Sequence, residues 1–127
     1  MKNIAVILAD GCEEGETLTI VDILRRTEMQ CDLVGLAGET ATGAHGIVIR
    51  ADKVLDRTVR EYDMIVLPGG YGGAEGMRTS ADLQADLKAM YAAGKFVTAM
   101  CAARSRWVAT ASRSRTARPT SVPTTPR

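Results

Sequence analysis

The sequence predicts an α/β domain built around a parallel β-sheet. Apolar segments of strand length alternate with segments of helix length, and the apolar segments are bounded by Asp, Gly or Pro. Aromatic residues make up only 4% of the chain although 46% of it is hydrophobic, so the core must be aliphatic. Strands that are apolar throughout are typical of parallel sheets, whose two faces are covered by helices. The length of 127 residues corresponds to one domain.

The first half of the chain predicts two strands, one helix and a hairpin. Residues 4–9 form a continuous apolar run that ends at Asp10-Gly11, as expected for a buried strand and a turn. Apolar residues recur with helical spacing between Gly15 and Arg26, and residues 31–36 predict the second strand. Gly43 and Gly46 mark residues 42–49 as a hairpin-like excursion with a short strand at 47–49.

The second half continues the alternation. Residues 62–67 predict a third buried strand that stops at Pro68, and the glycines between 72 and 76 predict a loop after it. Thr79 or Ser80 then caps a helix that runs to about Ala93 and ends at Gly94, and residues 96–100 predict the next strand. Alternation of this kind implies right-handed crossovers and a parallel sheet.

Three segments follow the carboxyl ends of predicted strands: residues 10–16, residues 68–76, and the chain from Cys101 onward. Functional residues of open parallel sheets lie at this edge, where the three segments should meet. Cys101 follows its strand directly and precedes two alanines, which is the pattern of a nucleophile elbow. A cysteine at a helix N-terminus can have a pKa between about 3.5 and 7.5. The alternative is a buried structural cysteine, which is equally common.

Acidic residues crowd the turn after the first strand. Glu16 lies in the first helical turn, from which a protonated carboxyl could donate a hydrogen bond to the Cys101 sulfur. For Glu13 and Glu14 the helix dipole alone is a sufficient reason. His45, the only histidine, lies in a Gly-bounded loop, where exposure to solvent is more common than a role as catalytic base.

Paired glycines follow the third strand. Gly69 and Gly70 allow backbone N–H groups to approach a reacting oxygen, as an oxyanion hole does, although a simple tight turn has the same sequence. The following residues do not match a dinucleotide-binding fingerprint, and a phosphate-binding lysine motif is absent. We therefore expect no cofactor. Three cysteines without a Cys-x-x-Cys pair disfavour a disulfide framework or a metal site and indicate a reducing cytoplasm.

The chain changes character at residue 104. Residues 1–103 carry a net charge of −5, whereas residues 104–127 carry six Arg and no acid, together with nine Ser/Thr and three Pro. This tail has no apolar periodicity and is predicted to be disordered. With a single aromatic residue it is a poor nucleic-acid binder. The N-terminus has the features of neither a signal peptide nor a membrane span.

Four motifs together resemble the DJ-1/PfpI family, in particular its bacterial DJ-1/ThiJ-like subgroup. They are DGCEEGET at 10–17, VDILRR at 21–26, DMIVLPGG at 63–70 and AMCAA at 99–103, within a similarity that covers residues 1–103. The resemblance implies a flavodoxin-like, doubly wound parallel sheet, here truncated after the nucleophile-elbow strand. It also implies a homodimer.

The resemblance also implies roles for individual residues. Cys101 is then the reactive, oxidisable nucleophile and Glu16 the carboxyl that hydrogen-bonds it. The N–H groups of Gly69, Gly70 and Ala102 would stabilise an oxyanion, and His45 and Glu14 would lie at the edge of the site. Family activities include glyoxalase-type conversion of methylglyoxal to lactate, deglycase activity on glycation adducts and redox-linked chaperone behaviour. Small carbonyl compounds are the implied substrates, with no nucleic-acid or membrane partner.

The tail departs from the family, which continues with proline and an apolar helix after the two alanines. Residues 104–110 can be encoded so that one added cytosine restores Pro-Ile-Ala-Leu-Gly-Arg-His, so we interpret the tail as the product of a frameshift. Sequencing the gene around codon 103 tests this hypothesis. We expect a chain of this kind to be impaired, and a non-functional product or a non-enzymatic redox sensor are the alternatives to an enzyme.

Overall fold

A computed structural model describes residues 2–100 and 103 and confirms the α/β class. The strands are β1 (Asn3–Leu8), β2 (Gln30–Gly35), β3 (Thr40–Thr42), β4 (Val48–Arg50), β5 (Lys53–Val54), β6 (Met64–Leu67) and β7 (Phe96–Ala99). The helices are α1 (Glu14–Arg26), α2 (Tyr71–Thr79) and α3 (Ala81–Ala92), with a 3-10 helix at Arg57–Glu61. Among the described helices, none is both long and apolar enough to cross a membrane.

The main sheet has five described strands in the order β5-β2-β1-β6-β7, and every neighbouring pair is parallel. β1, the first strand in sequence, therefore lies at the centre, which explains why it is apolar on both faces. Its register aligns Val6 with Val66, and Val66 in turn aligns with Thr98. β3 and β4 pair antiparallel outside this sheet, as the hairpin prediction required.

Two apolar layers cover the two faces of the sheet. On one face, alternate residues of β1 such as Ala5 and Ile7 pack with the residues that α2 and α3 contribute. On the other face, Ile4 and Val6 pack with Val21 of α1 and with apolar residues of the β3–β4 hairpin. Helices on both faces of a parallel sheet make this a doubly wound sandwich, as predicted.

The loop predicted from the glycines between 72 and 76 is wrong, because these residues lie within α2. Its glycines serve close packing. A Cβ on Gly72 would lie 3.0 Å from the Cα of Gly11, and a Cβ on Gly73 would lie 3.0 Å from the Cα of Cys12. The N-terminal turn of α2 thus packs backbone against backbone on the turn after β1, which only glycine permits.

Two smaller features also differ from the sequence prediction. The third apolar segment starts as a strand at Met64 and not at Tyr62, because Tyr62 ends the 3-10 helix and donates its hydroxyl hydrogen bond to Asp32. The two-residue strand β5 was not predicted, since Lys53 and Val54 lack an apolar run. The helix cap at Ser80 is confirmed: its Oγ accepts a hydrogen bond from Leu83 N at 3.2 Å.

Candidate functional site

The carboxyl ends of β1, β6 and β7 meet at one edge of the sheet, where the sequence predicted a site. Met100, which follows β7, donates its backbone N–H to the carbonyl of Leu67 at the end of β6 (2.9 Å). Glu13, in the turn after β1, donates its N–H to the carbonyl of Gly69 (3.0 Å). Hydrogen bonds thus connect all three strand ends directly.

Gly69 and Gly70 pack tightly against the turn after β1. Gly70 has φ = +102°, and a Cβ there would lie 2.5 Å from Glu13 N and 2.8 Å from Gly11 O, so the position requires glycine for two reasons. The N–H groups of Gly69 and Gly70 donate no hydrogen bond to any of the described residues. Their geometry is compatible with the predicted oxyanion role, which stays a prediction.

Glu16 is half-buried in the first turn of α1 and lines an open cavity of about 630 Å³ between α1 and the β6–β7 part of the sheet. Met100 lines the same cavity. Among the described lining residues Glu16 is the only ionisable one; the others are Gly15, Thr19, Ile20, Ile23, Leu24, Met64, Val66, Thr98 and Met100. The arrangement therefore presents a single carboxyl at the rim of a largely apolar surface.

Cys101 and Ala102 lie outside the described residues, so their predicted roles as nucleophile and oxyanion donor stay predictions. Their neighbours in sequence are described. Met100 lies at the cavity of Glu16, and Ala103 is buried and donates its N–H to the carbonyl of Met100 (3.0 Å). The structure thus brings Glu16 together with the residue that immediately precedes Cys101 in the chain.

Glu14 and His45 form a second cluster beside this edge. Glu14 is only 2% exposed, and its Oε1 lies 2.9 Å from Nδ1 of His45, whose side chain is largely exposed. Glu14 Oε2 accepts hydrogen bonds from the backbone N–H of His45 (2.8 Å) and of Ile47 (3.2 Å). The residue pattern alone offered only the helix dipole for Glu14 and solvent for His45; the family resemblance placed both at the edge of the site but predicted no contact between them.

These contacts set the pKa values of both groups. Burial opposes ionisation of Glu14, but the hydrogen bonds from His45 and from the backbone N–H groups outweigh it and lower its pKa to about 2. The hydrogen bond to Glu14, followed by the charge of Glu13, raises the pKa of His45. Glu14 is therefore a carboxylate at neutral pH, and its charge favours the imidazolium form of its partner.

Glu13, Glu14 and His45 are also the nearest approach to a metal-ligand set in the described part of the chain, with ligand-type atoms within 4.8 Å of one another. Both oxygens of Glu14 already accept hydrogen bonds. A metal ion bound here would have to displace the hydrogen bond between Glu14 and the His45 imidazole. The cluster is therefore arranged to hold the turn that contains His45. The sequence contained a signal for this cluster. Gly43 and Gly46 flank the only histidine, and the acidic residues Glu13 and Glu14 lie two strands earlier in the chain.

Two cysteines lie in the described core. Cys12 is 1% and Cys31 is 4% exposed, and neither forms a disulfide. Burial raises the pKa of both thiols. Neither thiol is therefore a candidate nucleophile.

Comparison with known proteins gives one consistent family. The model of the DJ-1/PfpI family matches residues 2–126. Protein dj-1beta of Drosophila melanogaster is 35% identical over 104 residues, which are 80% of this chain and 56% of that protein.

Solved structures agree. A DJ-1 superfamily protein from Salmonella typhimurium, determined as a cysteine-to-alanine mutant, superposes with a TM-score of 0.82 at 30% identity over 88% of this chain and 62% of that one. An oxidised DJ-1 from Toxoplasma gondii gives a TM-score of 0.80 at 34% identity over 87% and 61%, respectively. The chain thus spans less than two thirds of the length of each of these relatives.

Proposed function

Because this chain belongs to the DJ-1/PfpI family, we propose that it carries out cysteine-dependent glyoxalase- or deglycase-type chemistry on methylglyoxal or its early adducts. Cys101 is the proposed nucleophile and Glu16 its acid–base partner. The observation that supports this most is the shared cavity of Glu16 and Met100, since Cys101 is the next residue after Met100. A lone carboxyl beside the predicted thiol is the arrangement that such chemistry needs.

The proposed reaction starts with attack of the Cys101 thiolate on the aldehyde carbon of methylglyoxal. The aldehyde oxygen takes a proton and a hemithioacetal forms. Glu16 then takes the proton from the former aldehyde carbon and returns it to the neighbouring ketone carbon, while the hydroxyl proton passes to the ketone oxygen; these two transfers convert the hemithioacetal into a lactoyl thioester. Water cleaves the thioester to lactate and restores the thiol, so the oxidation of one carbon balances the reduction of the other.

Gly69 and Gly70 are the proposed oxyanion donors, together with the N–H of Ala102. Two features favour this assignment. The N–H groups of both glycines are not used by any of the described residues, and the positive φ of Gly70 holds a conformation that other residues rarely adopt. We propose His45 and Glu14 as residues at the edge of the site.

We propose that turnover by this chain is impaired. The Arg-, Ser-, Thr- and Pro-rich residues 104–127 lack the apolar periodicity of a helix after the nucleophile elbow. A helix N-terminus is what lowers the pKa of a cysteine at such a position. Homodimerisation and a cytoplasmic location, which the family resemblance and the cysteine content suggest, remain predictions for this chain.

A methylglyoxal consumption assay tests the proposal. We compare the wild type with Cys101→Ala, with Glu16→Gln and with Glu13→Gln, a matched control that removes a carboxyl from the same turn. We expect Cys101→Ala to abolish consumption, Glu16→Gln to reduce it by a factor of about 100 or more, and Glu13→Gln to retain it. Equal rates for wild type and Cys101→Ala would reject the enzymatic function.

A non-enzymatic redox sensor or holdase is the second candidate. Burial of Cys12 and Cys31 favours it, because oxidation would be confined to the remaining thiol. Peroxide titration followed by peptide mass analysis tests this function: sulfinic acid should form on Cys101 first. A chain that neither consumes methylglyoxal nor oxidises selectively is a non-functional product.

A further inference from the structure

We infer that Glu14 is a positioning residue: it fixes the first turn of α1, and with it Glu16, by holding the turn between β3 and β4. The inference rests on the proposed role of Glu16. It concerns a residue that is not among those lining the cavity and that acts through the backbone of a neighbouring element.

The contact between Glu14 and the β3–β4 turn is extensive. One carboxylate oxygen accepts two backbone N–H groups, from His45 and Ile47, and the other meets the His45 imidazole. All three donors belong to the turn between β3 and β4, and the single carboxylate of Glu14 links them. Because Glu14 is 2% exposed, water cannot replace these hydrogen bonds without opening the turn.

The turn is shaped to receive this carboxyl. A Cβ on Gly43 would lie 2.2 Å from Cδ of Glu14, so only glycine allows the side chain to lie there. Backbone hydrogen bonds continue the contact on both sides: Ala44 N donates to Cys12 O (2.8 Å), and Gly11 N donates to Thr42 O (2.9 Å). Two backbone hydrogen bonds and the Glu14 carboxylate therefore join the turn after β1 to the hairpin.

Two side chains support the start of α1: Thr17, whose Oγ1 donates to the carbonyl of Glu13 within the same turn (2.9 Å), and Glu14, which connects that turn to the β3–β4 turn through its carboxylate. Glu13 occupies the N-cap position, and its side chain makes no capping hydrogen bond. An uncapped first turn frays readily, since its N–H groups lack partners. Glu14 is the first residue of α1 and Glu16 the third, so the turn that Glu14 holds is the turn that carries Glu16.

Two substitutions of Glu14 separate the effect of side-chain length from the effect of charge. Glu14→Gln keeps an oxygen at the same distance and still accepts the two backbone N–H groups, but it loses the charge. Glu14→Asp keeps the charge but shortens the side chain by one methylene, which withdraws the carboxylate from the turn. If Glu14 acts by position, Gln preserves the geometry of Glu16 and Asp disturbs it; if it acts by charge, the order reverses.

The experiment uses the full 127-residue chain and two measurements. The first is the 13C titration curve of the Glu16 carboxyl, assigned by its loss in Glu16→Gln. The second is the pH profile of Cys101 alkylation by iodoacetamide, followed by peptide mass. We expect both to change in Glu14→Asp and Glu14→Ala and to stay near wild type in Glu14→Gln. In the first two variants the alkylation rate at pH 6 should fall about tenfold, which corresponds to one unit of thiol pKa.

Glu13→Ala is the matched control and should leave both measurements unchanged. If Glu14→Ala does not fold, as judged by circular dichroism, the comparison of Asp with Gln decides alone. An unchanged Glu16 titration in Glu14→Asp, or an equal change in Gln and Asp, would overturn the inference. If Glu16→Gln leaves the Cys101 profile unchanged, the proposed acid–base role of Glu16 fails, while the carboxyl titration still tests the position of Glu16.

Discussion

Arg60 holds the carboxyl of Asp86, with Nε 2.6 Å from Oδ1, and joins the 3-10 helix to α3. The Asp86 side chain is 4% exposed, so removal of Arg60 leaves a buried carboxyl without this partner. We expect Arg60→Ala to lower the free energy of unfolding by about 1–3 kcal/mol, less than for a fully buried pair because the arginine is partly solvated. Urea denaturation measures the change.

Arg26 provides the control for that prediction. It forms an ion pair with Asp22 on the exposed side of α1, where both side chains are mostly in water. We expect Arg26→Ala to cost at most about 0.5 kcal/mol. Equal losses for the two arginine variants would show that burial of Asp86 does not matter.

Two glycines of α2 should respond to alanine with opposite signs. Gly73 faces Cys12, and a Cβ there would lie 3.0 Å from its Cα, so Gly73→Ala should destabilise the fold by about 1–3 kcal/mol. Gly76 meets only the end of the Leu36 side chain at 3.7 Å, an ordinary contact. Gly76→Ala should therefore gain up to about 1 kcal/mol from helix propensity. Thermal unfolding of the two variants compares them; destabilisation by both would contradict the assigned packing.

Stability should depend on pH through the Glu14–His45 contact. The pKa of Glu14 is lowered to about 2, so its contribution is present above its unfolded value of about 4.5 and is lost as the pH falls toward 2. The pKa of His45 is raised, so its contribution is complete below about 6.5 and is lost as the pH rises through the folded value. We expect the contact between Glu14 and His45 to contribute most to the free energy of unfolding between about pH 4.5 and 6.5.

His45 is the only histidine, so one imidazole signal in an NMR titration reports its pKa directly. Glu14→Gln should lower that pKa and flatten the decline of the urea midpoint between pH 6 and 8. An imidazole that titrates identically in wild type and Glu14→Gln would be inconsistent with the hydrogen bond.

Thiol accessibility should distinguish Cys101 from the other two cysteines. Burial raises the pKa of the Cys12 and Cys31 thiols and shields them from reagent. We expect iodoacetamide at pH 7 to modify one thiol per native chain and three in urea, as counted by intact mass. Modification of Cys12 or Cys31 in the native protein would indicate that the core layer between the sheet and α1 opens readily.

The sequence predicted the fold well where a single interaction decides the structure. The apolar run at 4–9 forms a buried strand as predicted, and Ser80, one of the two predicted caps, caps α3. The prediction failed at α2. Paired glycines such as Gly72 and Gly73 occur both in flexible loops and where two backbones pack closely, and the local sequence does not distinguish the two cases. That difference depends on Gly11 and Cys12, about 60 residues earlier in the chain.

The candidate site was predictable in part for a similar reason. Glu16 was selected because helix geometry directs it to the sheet edge; it lines a cavity together with Met100, and its catalytic role stays a prediction. For Glu14 the sequence suggested only a favourable interaction with the helix dipole. Its partners include the backbone N–H groups of His45 and Ile47, and because every residue except proline has such a group, the sequence does not reveal this contact.

The central place of β1 has a consequence for synthesis on the ribosome. β1 is made first, yet it lies between β2 and β6, and its partner residue Met64 is translated 60 residues after Ile4. At a synthesis rate of about 5–20 residues per second, roughly 3–12 s pass between the synthesis of β1 and that of β6, and only then can both edges of β1 be hydrogen-bonded. A nascent chain of this topology has at least one unpaired edge on an apolar strand throughout that interval, which favours aggregation during synthesis.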